Sequence, residues 1–343
     1  MIRPQGQIFI HKSPGELRAF FCNANGAATH TFSQLTFKPS DRARFGTIHE
    51  ARIRTFADNI RGAFCELASG EEVFLRLKDR AGFTEGARLI VEISSEARAD
   101  KLARVSRSSV PLTSISAFDA WQNDVGASEM ELIEDRARVD AVFADSLNEQ
   151  AALPGGGRLF IQRTRALTAV DVDTAGRLHK GSAAARALSV NRDAAVEMVR
   201  QISLRRLGGN VILDCVGPHN GDANSKIRDV ARTAFDEVGL ASAKVLKPSP
   251  LGLLEAAVPW RYQPIGDAYE IDPTETRLLE SLRQVQREAE ADPTGFYNLA
   301  LCAPAWRYYL SHKSQVDAEM LTFFSGRVSV NKSDTELNEV RRR

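Results

Sequence analysis

The chain has 343 residues, with 45 Lys and Arg against 44 Asp and Glu, so its formal net charge is only +1. This length exceeds one ordinary domain and is enough for two or three. Apolar residues make up 43% of the chain and charged residues 26%, values that exclude a disordered or fibrous protein. Because the net charge is near zero, any surface for nucleic acid must be a local patch.

The four cysteines are scattered through the chain and form no Cys-x-x-Cys pair: Cys22, Cys65, Cys215 and Cys302. This spacing indicates reduced thiols in the cytoplasm and argues against a structural zinc site. No apolar run approaches the length of a membrane-spanning helix, and the N-terminus lacks the apolar stretch of a secretory signal. We therefore expect a cytoplasmic protein with no membrane association and no zinc.

Short strands separated by turn signals dominate the first hundred residues. Residues 1–38 read as a small meander of strands. In residues 39–107, about five short strands joined by polar turns suit an OB-type barrel, a fold whose open face binds single-stranded nucleic acid. Phe64 and Phe74 each lie on one of these strands. Taken alone, they are better explained as core residues, because most aromatic side chains on strands are buried.

A helical pattern precedes the most informative stretch of the chain. Residues 130–147 have apolar positions at helical spacing and predict one amphipathic helix. Residues 158–162 and 166–173 then alternate as two strands. On the second strand, Asp171 and Asp173 share one face with two apolar side chains. Two carboxylates on such a face cost desolvation and repulsion, so we predict a bound divalent cation there.

A strand, a helix and a second strand follow one another here. Asn191 is a candidate N-cap of the helix, and Gly208 and Gly209 are candidates for its C-terminal end. Residues 211–216 then form an apolar strand that contains Asp214. A right-handed crossover places two such strands side by side. Asp171 and Asp214 would then converge on one magnesium ion, which prefers oxygen ligands and keeps several waters.

Residues 174–190 read as a basic loop beside the acidic strand. It holds Arg177, His179 and Lys180. One interpretation is a plain solvated loop. The other is that Arg177 and Lys180 position a phosphate group, because metal-assisted chemistry on a polyanion needs cations nearby. His179 is better explained as an exposed loop residue.

The remaining segments predict helices, one strand and a small last domain. Residues 222–238 form an amphipathic helix, and a strand at 243–246 precedes Gly252-Leu253-Leu254-Glu255. Residues 261–273 read as a linker and 274–290 as a helix. Residues 296–330 read as strand, helix, short helix and strand.

Several of these motifs, in this order, resemble the catalytic core of the ribonuclease E/G family. They are A-L-T-A-V-D-V-D at 166–173, R-Q-I-S-L-R-R-L-G-G at 200–209, V-I-L-D at 211–214 and G-L-L-E at 252–255. The order and spacing agree over about half of the chain, and weaker similarity covers most of the rest. Because several ordered motifs agree, the resemblance is more specific than one short pattern.

The resemblance implies a mixed α/β fold: a ribonuclease-H-like and DNase-I-like catalytic core, an inserted OB-fold barrel and a small C-terminal α/β domain. It divides the chain into ribonuclease-H-like strands at 1–38, the barrel at 39–107, a reduced sensor region with a helix returning to the core at 108–150, the DNase-I-like catalytic domain at 151–260, and a linker with the C-terminal domain at 261–343.

The resemblance also implies roles for individual residues. The positions of Asp171 and Asp214 hold the catalytic magnesium in the family, and manganese is the alternative ion. The position of Asp173 is usually an asparagine that assists the attacking water, so aspartate here is a departure. Phe64 and Phe74 match the family's RNA-stacking phenylalanines and Lys101 its phosphate-binding lysine.

The implied activity is a magnesium-dependent endoribonuclease. It would cut single-stranded RNA to leave 5′-phosphate and 3′-hydroxyl ends, in rRNA processing or mRNA decay, as a homodimer formed through the C-terminal domain. Three features depart from the family: the sensor for a 5′-monophosphate, the zinc-binding link and the arginines that flank Gly252-Leu253-Leu254-Glu255 are absent. They support the alternative of an RNA-binding scaffold that no longer cuts.

Overall fold

The structure is a computed structural model, and it describes residues 6–37, 43–77, 82–98, 101–112, 115–175, 181–218, 220–270 and 273–343. These residues form a mixed α/β fold. Its strands are β1 (Gly6–Ser13), β2 (Glu16–Asn23), β3 (Ala28–Leu35), β4 (Ile48–Ala57), β5 (Gly62–Leu67), β6 (Glu72–Arg76), β7 (Arg88–Ser95), β8 (Ala103–Arg107), β9 (Leu132–Glu134), β10 (Gln150–Ala152), β11 (Arg158–Arg163), β12 (Leu167–Asp173), β13 (Gly209–Asp214), β14 (Lys244–Val245), β15 (Leu253–Val258), β16 (Tyr297–Leu301), β17 (Val328–Lys332) and β18 (Glu339–Arg342).

The helices are α1 (Ala117–Asp124), α2 (Arg136–Leu147), α3 (Ala183–Leu204), α4 (Gly221–Glu237), α5 (Ile265–Glu270), α6 (Pro273–Ala291), α7 (Ala303–Ser311) and α8 (Lys313–Phe324). Within the described ranges, no helix is long and apolar enough to cross a membrane.

The N-terminal sheet has four strands in the order β3-β2-β1-β9. The first three strands are antiparallel, and β9 joins β1 in parallel. Helix α2 packs on one face through Val139 and Phe143, and α1 packs on the other through Trp121. The strands are therefore buried on both faces, which explains their nearly continuous apolar character.

The predicted single helix over 130–147 is wrong at its start. Residues 132–134 form β9, and the helix begins only at Arg136. Asp135 is the N-cap, because its side chain accepts a hydrogen bond from the backbone NH of Arg138 at 3.0 Å. The apolar spacing of this segment suits a helix, but the backbone of 132–134 pairs instead with β1, more than a hundred residues earlier.

The second unit is a closed five-stranded barrel in the order β4-β5-β6-β8-β7, which confirms the predicted OB-type barrel at the level of its architecture. Small and branched apolar side chains fill its interior: Ala51, Ile53, Ala63, Cys65, Leu67, Val73, Leu75, Val91, Ile93 and Val105. Because side chains alternate along a strand, Phe64 and Phe74 lie on the outer surface of the barrel. Both rings are partly exposed, so their interpretation as core residues is wrong.

A buried carboxylate attaches the barrel to the rest of the protein. Glu96 accepts hydrogen bonds from the backbone NH groups of Phe45 at 3.1 Å and Gln263 at 2.8 Å, and it forms an ion pair with Arg44 at 3.0 Å. The Arg98 guanidinium also stacks over the Trp260 ring, 4.1 Å from its centroid. These contacts fix the orientation of the barrel relative to the strands after it.

The third unit is a six-stranded sheet in the order β10-β11-β12-β13-β15-β14. Strands β12 and β13 are parallel, joined by α3, and their other neighbours are antiparallel. Helices α3 and α4 cover one face with a core that includes Met198, Ile202, Ile227 and Phe235. Side chains on the other face are exposed or half-exposed in every described strand of this sheet, and we call it the open face.

Helix α3 is longer than predicted. It begins after the N-cap Ser182, whose hydroxyl accepts a hydrogen bond from the backbone NH of Ala185. Residues 183–190 are therefore helical and not part of a loop, and Asn191 is not the N-cap. Asn191 lies in mid-helix, where its side-chain amide exchanges two hydrogen bonds with the backbone of Val216, at 2.8 and 2.9 Å.

The end of α3 also differs from the predicted glycine cap. Arg206 adopts the left-handed conformation, with φ of 59°, and Gly208 and Gly209 follow. A Cβ atom on Gly208 would lie 2.7 Å from the Trp260 indole, so this glycine is required for close packing. The buried Arg206 guanidinium donates to the Thr31 carbonyl at 3.1 Å and joins α3 to the N-terminal sheet.

The C-terminal unit is a three-stranded sheet, β17-β16-β18, with α6, α7 and α8. Strand β16 is parallel to β17 and antiparallel to β18. The unit attaches to the N-terminal sheet at Glu16, which is 2% exposed. Glu16 accepts hydrogen bonds from the Tyr269 hydroxyl at 2.6 Å and from Arg283 at 2.5 Å. Loss of either hydrogen-bond partner would leave a buried charge without compensation, which is strongly destabilising. The two hydrogen bonds of Glu16 therefore hold the C-terminal unit against the N-terminal sheet.

A partly buried histidine, His30, makes the stability of the fold depend on pH. Burial lowers the pKa of His30 from 6.5 to about 4, with a smaller opposing effect of Asp124. Between about pH 6.5 and about pH 4, His30 therefore binds a proton in the unfolded chain but stays neutral in the folded protein. The free energy of unfolding should fall by about 2 kcal/mol between about pH 7.5 and about pH 5 from this group.

Urea unfolding of the wild type and of His30→Gln at the two pH values checks this prediction. The variant should lose about 2 kcal/mol less than the wild type on acidification. Equal losses for the two proteins would contradict it.

Candidate active site and nucleic-acid groove

Asp171 and Asp214 lie side by side at the ends of two parallel strands. The register of β12 and β13 pairs Val170 with Leu213, and one residue further it places Asp171 beside Asp214. Val170 and Leu213 are buried against the helices, so both aspartates project to the open face, where both are exposed. Neighbouring strands are about 4.8 Å apart, a spacing that lets two carboxylates share one ion.

The predicted convergence of these two strands is thus correct in its topology, but the predicted cost of burial is wrong. Neither carboxylate is desolvated, because the open face of the sheet is in contact with solvent. The strand order and the register bring the two groups together, and mutual repulsion is the cost that a cation would offset.

Asp173 lies on the same face as Asp171, two residues further along β12. Its Oδ1 accepts a hydrogen bond from the backbone NH of Ala175 at 2.9 Å, and its Oδ2 lies 3.4 Å from Nε of Arg158. Arg158 is its direct cross-strand neighbour on β11. The extra charge of aspartate at this position is therefore compensated by an adjacent guanidinium.

The donor set suits a hard divalent cation that keeps most of its own water. Among the described residues, no group of three or more His, Cys, Asp or Glu side chains could hold a metal. Two in-register carboxylates remain, and magnesium is commonly bound by one or two carboxylates together with waters and substrate phosphates. The Cys215 side chain is buried in the core of the sheet, away from the open face, and burial raises the pKa of its thiol to about 12.

Two contacts fix the strand end that carries Asp214. Immediately after Asp214, the backbone NH of Cys215 donates to the Gly252 carbonyl at 3.0 Å. Asn191 of α3 then holds the backbone of Val216 on both its NH and its C=O. Glu255, in the G-L-L-E motif, lies opposite Ile212 on the open face, one row away from the aspartate pair.

The barrel presents a second candidate site about Phe64, Phe74 and Lys101. The two phenylalanines are cross-strand partners, with ring centroids 5.6 Å apart in an edge-to-face arrangement. With Lys101 they line a groove of about 610 Å³, which we call the barrel groove. A Cβ atom on Gly62 would lie 2.2 Å from the Phe74 ring, so any larger residue at position 62 would clash with the ring in its present position. The structure thus brings together three residues that the sequence predicted as one site.

Three arginines in the barrel groove were not predicted. Arg61, Arg76 and Arg104 line it, and within the described part of the chain none of them forms an ion pair. Elsewhere on the barrel, by contrast, Arg54 pairs with Glu66 and Arg88 with Glu50. Unpaired guanidinium groups beside aromatic rings are suited to bind phosphate and to stack on bases. Strand alternation places Arg76 on the face of Phe74, a signal that could have identified it.

Two predicted residues of the basic loop, Arg177 and Lys180, lie outside the described residues, as does His179. The arginines of the R-Q-I-S-L-R-R-L-G-G motif, by contrast, are structural. Arg200 pairs with Glu197 at 2.6 Å and donates to the Ala28 carbonyl at 2.8 Å, and Arg206 bonds to Thr31. This motif therefore joins α3 to the N-terminal sheet and does not enter either candidate site.

Comparison with known sequences points to one family. Residues 105–257 match the model of the ribonuclease E/G family, a segment that contains both Asp171 and Asp214. Strands β4 to β7 of the barrel and the C-terminal unit lie outside the matched segment.

The relatives that match are ribonucleases E and G. Ribonuclease E of Synechocystis sp. is 37% identical over 118 residues, which is 34% of this chain and 17% of that protein. Ribonuclease E of Haemophilus influenzae is 32% identical over 122 residues, 34% of this chain and 12% of that protein. Ribonuclease E of Escherichia coli is 25% identical over 191 residues, 51% of this chain and 18% of that protein. The matched part is thus less than a fifth of each of these relatives, and the similarity of this chain to the ribonuclease E/G family lies in residues 105–257.

Proposed function

We propose that this protein is a metal-dependent endoribonuclease that cuts single-stranded RNA. The observation that carries the proposal is the in-register pair Asp171 and Asp214, exposed side by side on the open face. The similarity of residues 105–257 to the ribonuclease E/G family supports the reaction class, and the barrel groove supports the substrate class. Magnesium is the proposed ion and manganese the alternative.

Each part of the chain has a proposed task. Asp171 and Asp214 hold the ion, which when bound would lower the pKa of a water and polarise a non-bridging phosphate oxygen. Asp173, already oriented by Arg158, accepts a hydrogen bond from the attacking water. Water attacks phosphorus, the bond to the 3′-oxygen breaks, and a proton passes to that oxygen. The products therefore carry 5′-phosphate and 3′-hydroxyl ends.

The barrel groove binds the RNA substrate. Phe64 and Phe74 stack on unpaired bases, while Lys101 and the three groove arginines bind the phosphates. Double-stranded RNA keeps its bases stacked inside the helix, so this mode of binding selects single strands. Arg177 and Lys180 are proposed as further phosphate-binding residues beside the acidic pair.

A cleavage assay run beside a binding assay tests the proposal. The full chain is incubated with labelled single-stranded and double-stranded RNA in magnesium, in manganese and in EDTA. We expect cleavage of the single strand only, in either metal but not in EDTA, with binding retained in EDTA. Binding without cleavage in both metals would overturn the nuclease and favour the alternative, an RNA-binding scaffold.

The same assay tests the proposed lack of a 5′-monophosphate sensor. Oligoribonucleotides with 5′-hydroxyl and 5′-phosphate ends should be cut at equal rates. We also propose that the protein acts in the cytoplasm, in rRNA processing or mRNA decay, as a homodimer formed through residues 261–343.

A further inference from the structure

An aromatic residue lies in the same row of the open face as the two aspartates. Phe160 of β11 is the direct cross-strand partner of Asp171, and Asp171 adjoins Asp214 on the next strand. Directly opposed side chains on antiparallel strands have Cβ atoms about 4.5–5.5 Å apart. An ion held between the two carboxylates would therefore lie about one and a half strand spacings, roughly 7 Å, from the strand that carries Phe160.

This phenylalanine is not part of the core of the sheet. Its neighbours on β11, Leu159 and Ile161, are 0% and 4% exposed and pack against α3 and α4. Phe160 projects to the opposite face, is partly exposed, and shares that face with the exposed Arg158 and Gln162. Among the described residues, no aromatic ring packs on it. The exposed part of the ring is therefore accessible to a base of an RNA strand that is bound at the neighbouring acidic pair.

We propose that Phe160 stacks on the base of one of the two nucleotides joined by the scissile phosphate. This inference rests on the proposed function, because it is the acidic pair that would place a phosphate about one and a half strand spacings from the strand that carries the ring. Every base has a flat π-face, so the contact is tolerant of sequence. This contact would position the scissile phosphate at the acidic pair, independently of the binding of RNA in the barrel groove.

A fluorescence experiment tests the contact without requiring cleavage. Single-stranded RNA carries 2-aminopurine at one position, moved stepwise along the strand, and binding is followed in calcium, a divalent cation with oxygen ligands that takes the place of magnesium at the acidic pair. Besides the positions stacked on Phe64 and Phe74, the wild type should quench the fluorescence at one or two adjacent positions by stacking on Phe160, and these are the positions at which the variants are compared. Phe160→Ala should abolish this quenching and Phe160→Trp should restore it. The matched control Gln162→Ala changes an exposed side chain of the same strand and face, and it should quench as the wild type does.

A cleavage experiment then ties the contact to the reaction. The wild type should cut RNA with one abasic nucleotide at the quenched position about tenfold more slowly than intact RNA, the range expected for one lost stack. Phe160→Ala should cut intact RNA about tenfold more slowly and be insensitive to the abasic nucleotide. Circular dichroism of each variant confirms that the fold is retained.

The outcomes separate this inference from the proposed function. If the wild type cuts RNA but Phe160→Ala matches it in quenching, rate and response to the abasic nucleotide, Phe160 does not contact a base and the inference is overturned. If the wild type binds RNA and does not cut it in either metal, the proposed function fails and the inference fails with it.

Discussion

Replacing Asp171 or Asp214 by asparagine is expected to lower RNA cleavage by about three orders of magnitude or more, while RNA binding stays near its wild-type value. Each change keeps the shape of the side chain but removes one of the two adjacent charges that, under the proposed function, would hold a common ion. The loss is large because both activation of water and stabilisation of charge on the phosphate depend on that ion. Both side chains are exposed, so the free energy of unfolding should change little.

Initial rates with saturating magnesium measure this effect, and an electrophoretic shift in EDTA measures binding. Asp236→Asn is the matched control, because Asp236 is an exposed aspartate on the outer side of α4. Its cleavage rate should equal that of the wild type. Retained cleavage in both Asp171→Asn and Asp214→Asn would end the proposal of a metal site at this pair.

Replacing Arg61, Arg76 and Arg104 together by glutamine is expected to weaken binding of single-stranded RNA on the order of 100-fold at low salt. All three line the barrel groove without an ion pair among the described residues, so their charges are available to phosphate groups. If each contacts one phosphate, the slope of log affinity against log salt should become shallower by about 2. The two phenylalanines keep their positions, so part of the affinity should remain.

The barrel itself offers the control for this variant. Arg54 and Arg88 are also arginines of the barrel, but each already pairs with a glutamate. Their double replacement by glutamine should leave both the affinity and the salt slope close to wild type. A loss of equal size in the control would show that total charge matters and not the groove, and the barrel groove would then lose its assigned role.

The sequence was informative wherever the relevant interaction was local or repeated. The barrel could be predicted because its strands are short, regularly spaced and separated by turns. The meeting of Asp171 and Asp214 could be predicted because a strand, a helix and a strand imply parallel neighbours. The face that each aspartate occupies also follows from alternation. Their exposure does not, because it depends on whether any element covers that face of the sheet.

The errors arose where distant parts of the chain decide the local structure. Residues 132–134 have helical spacing but pair with β1, and this pairing cannot be read from the segment alone. Asn191 resembles a helix cap by its residue type, yet its amide serves the backbone of Val216, twenty-five positions later. The three groove arginines were missed because arginine on a barrel surface is common. They are distinguished by lining one groove without an ion-pair partner among the described residues, and that requires coordinates.

Through Glu96 and Arg98 the barrel contacts Gln263 and Trp260, which follow the last strand of the acidic sheet, so these contacts set the position of the barrel relative to the two aspartates. An RNA strand whose bases stack on Phe64 and Phe74 must then span a constant distance to reach the two aspartates. Under the proposed function, each cut would fall a set number of nucleotides from the gripped bases, whatever their identity.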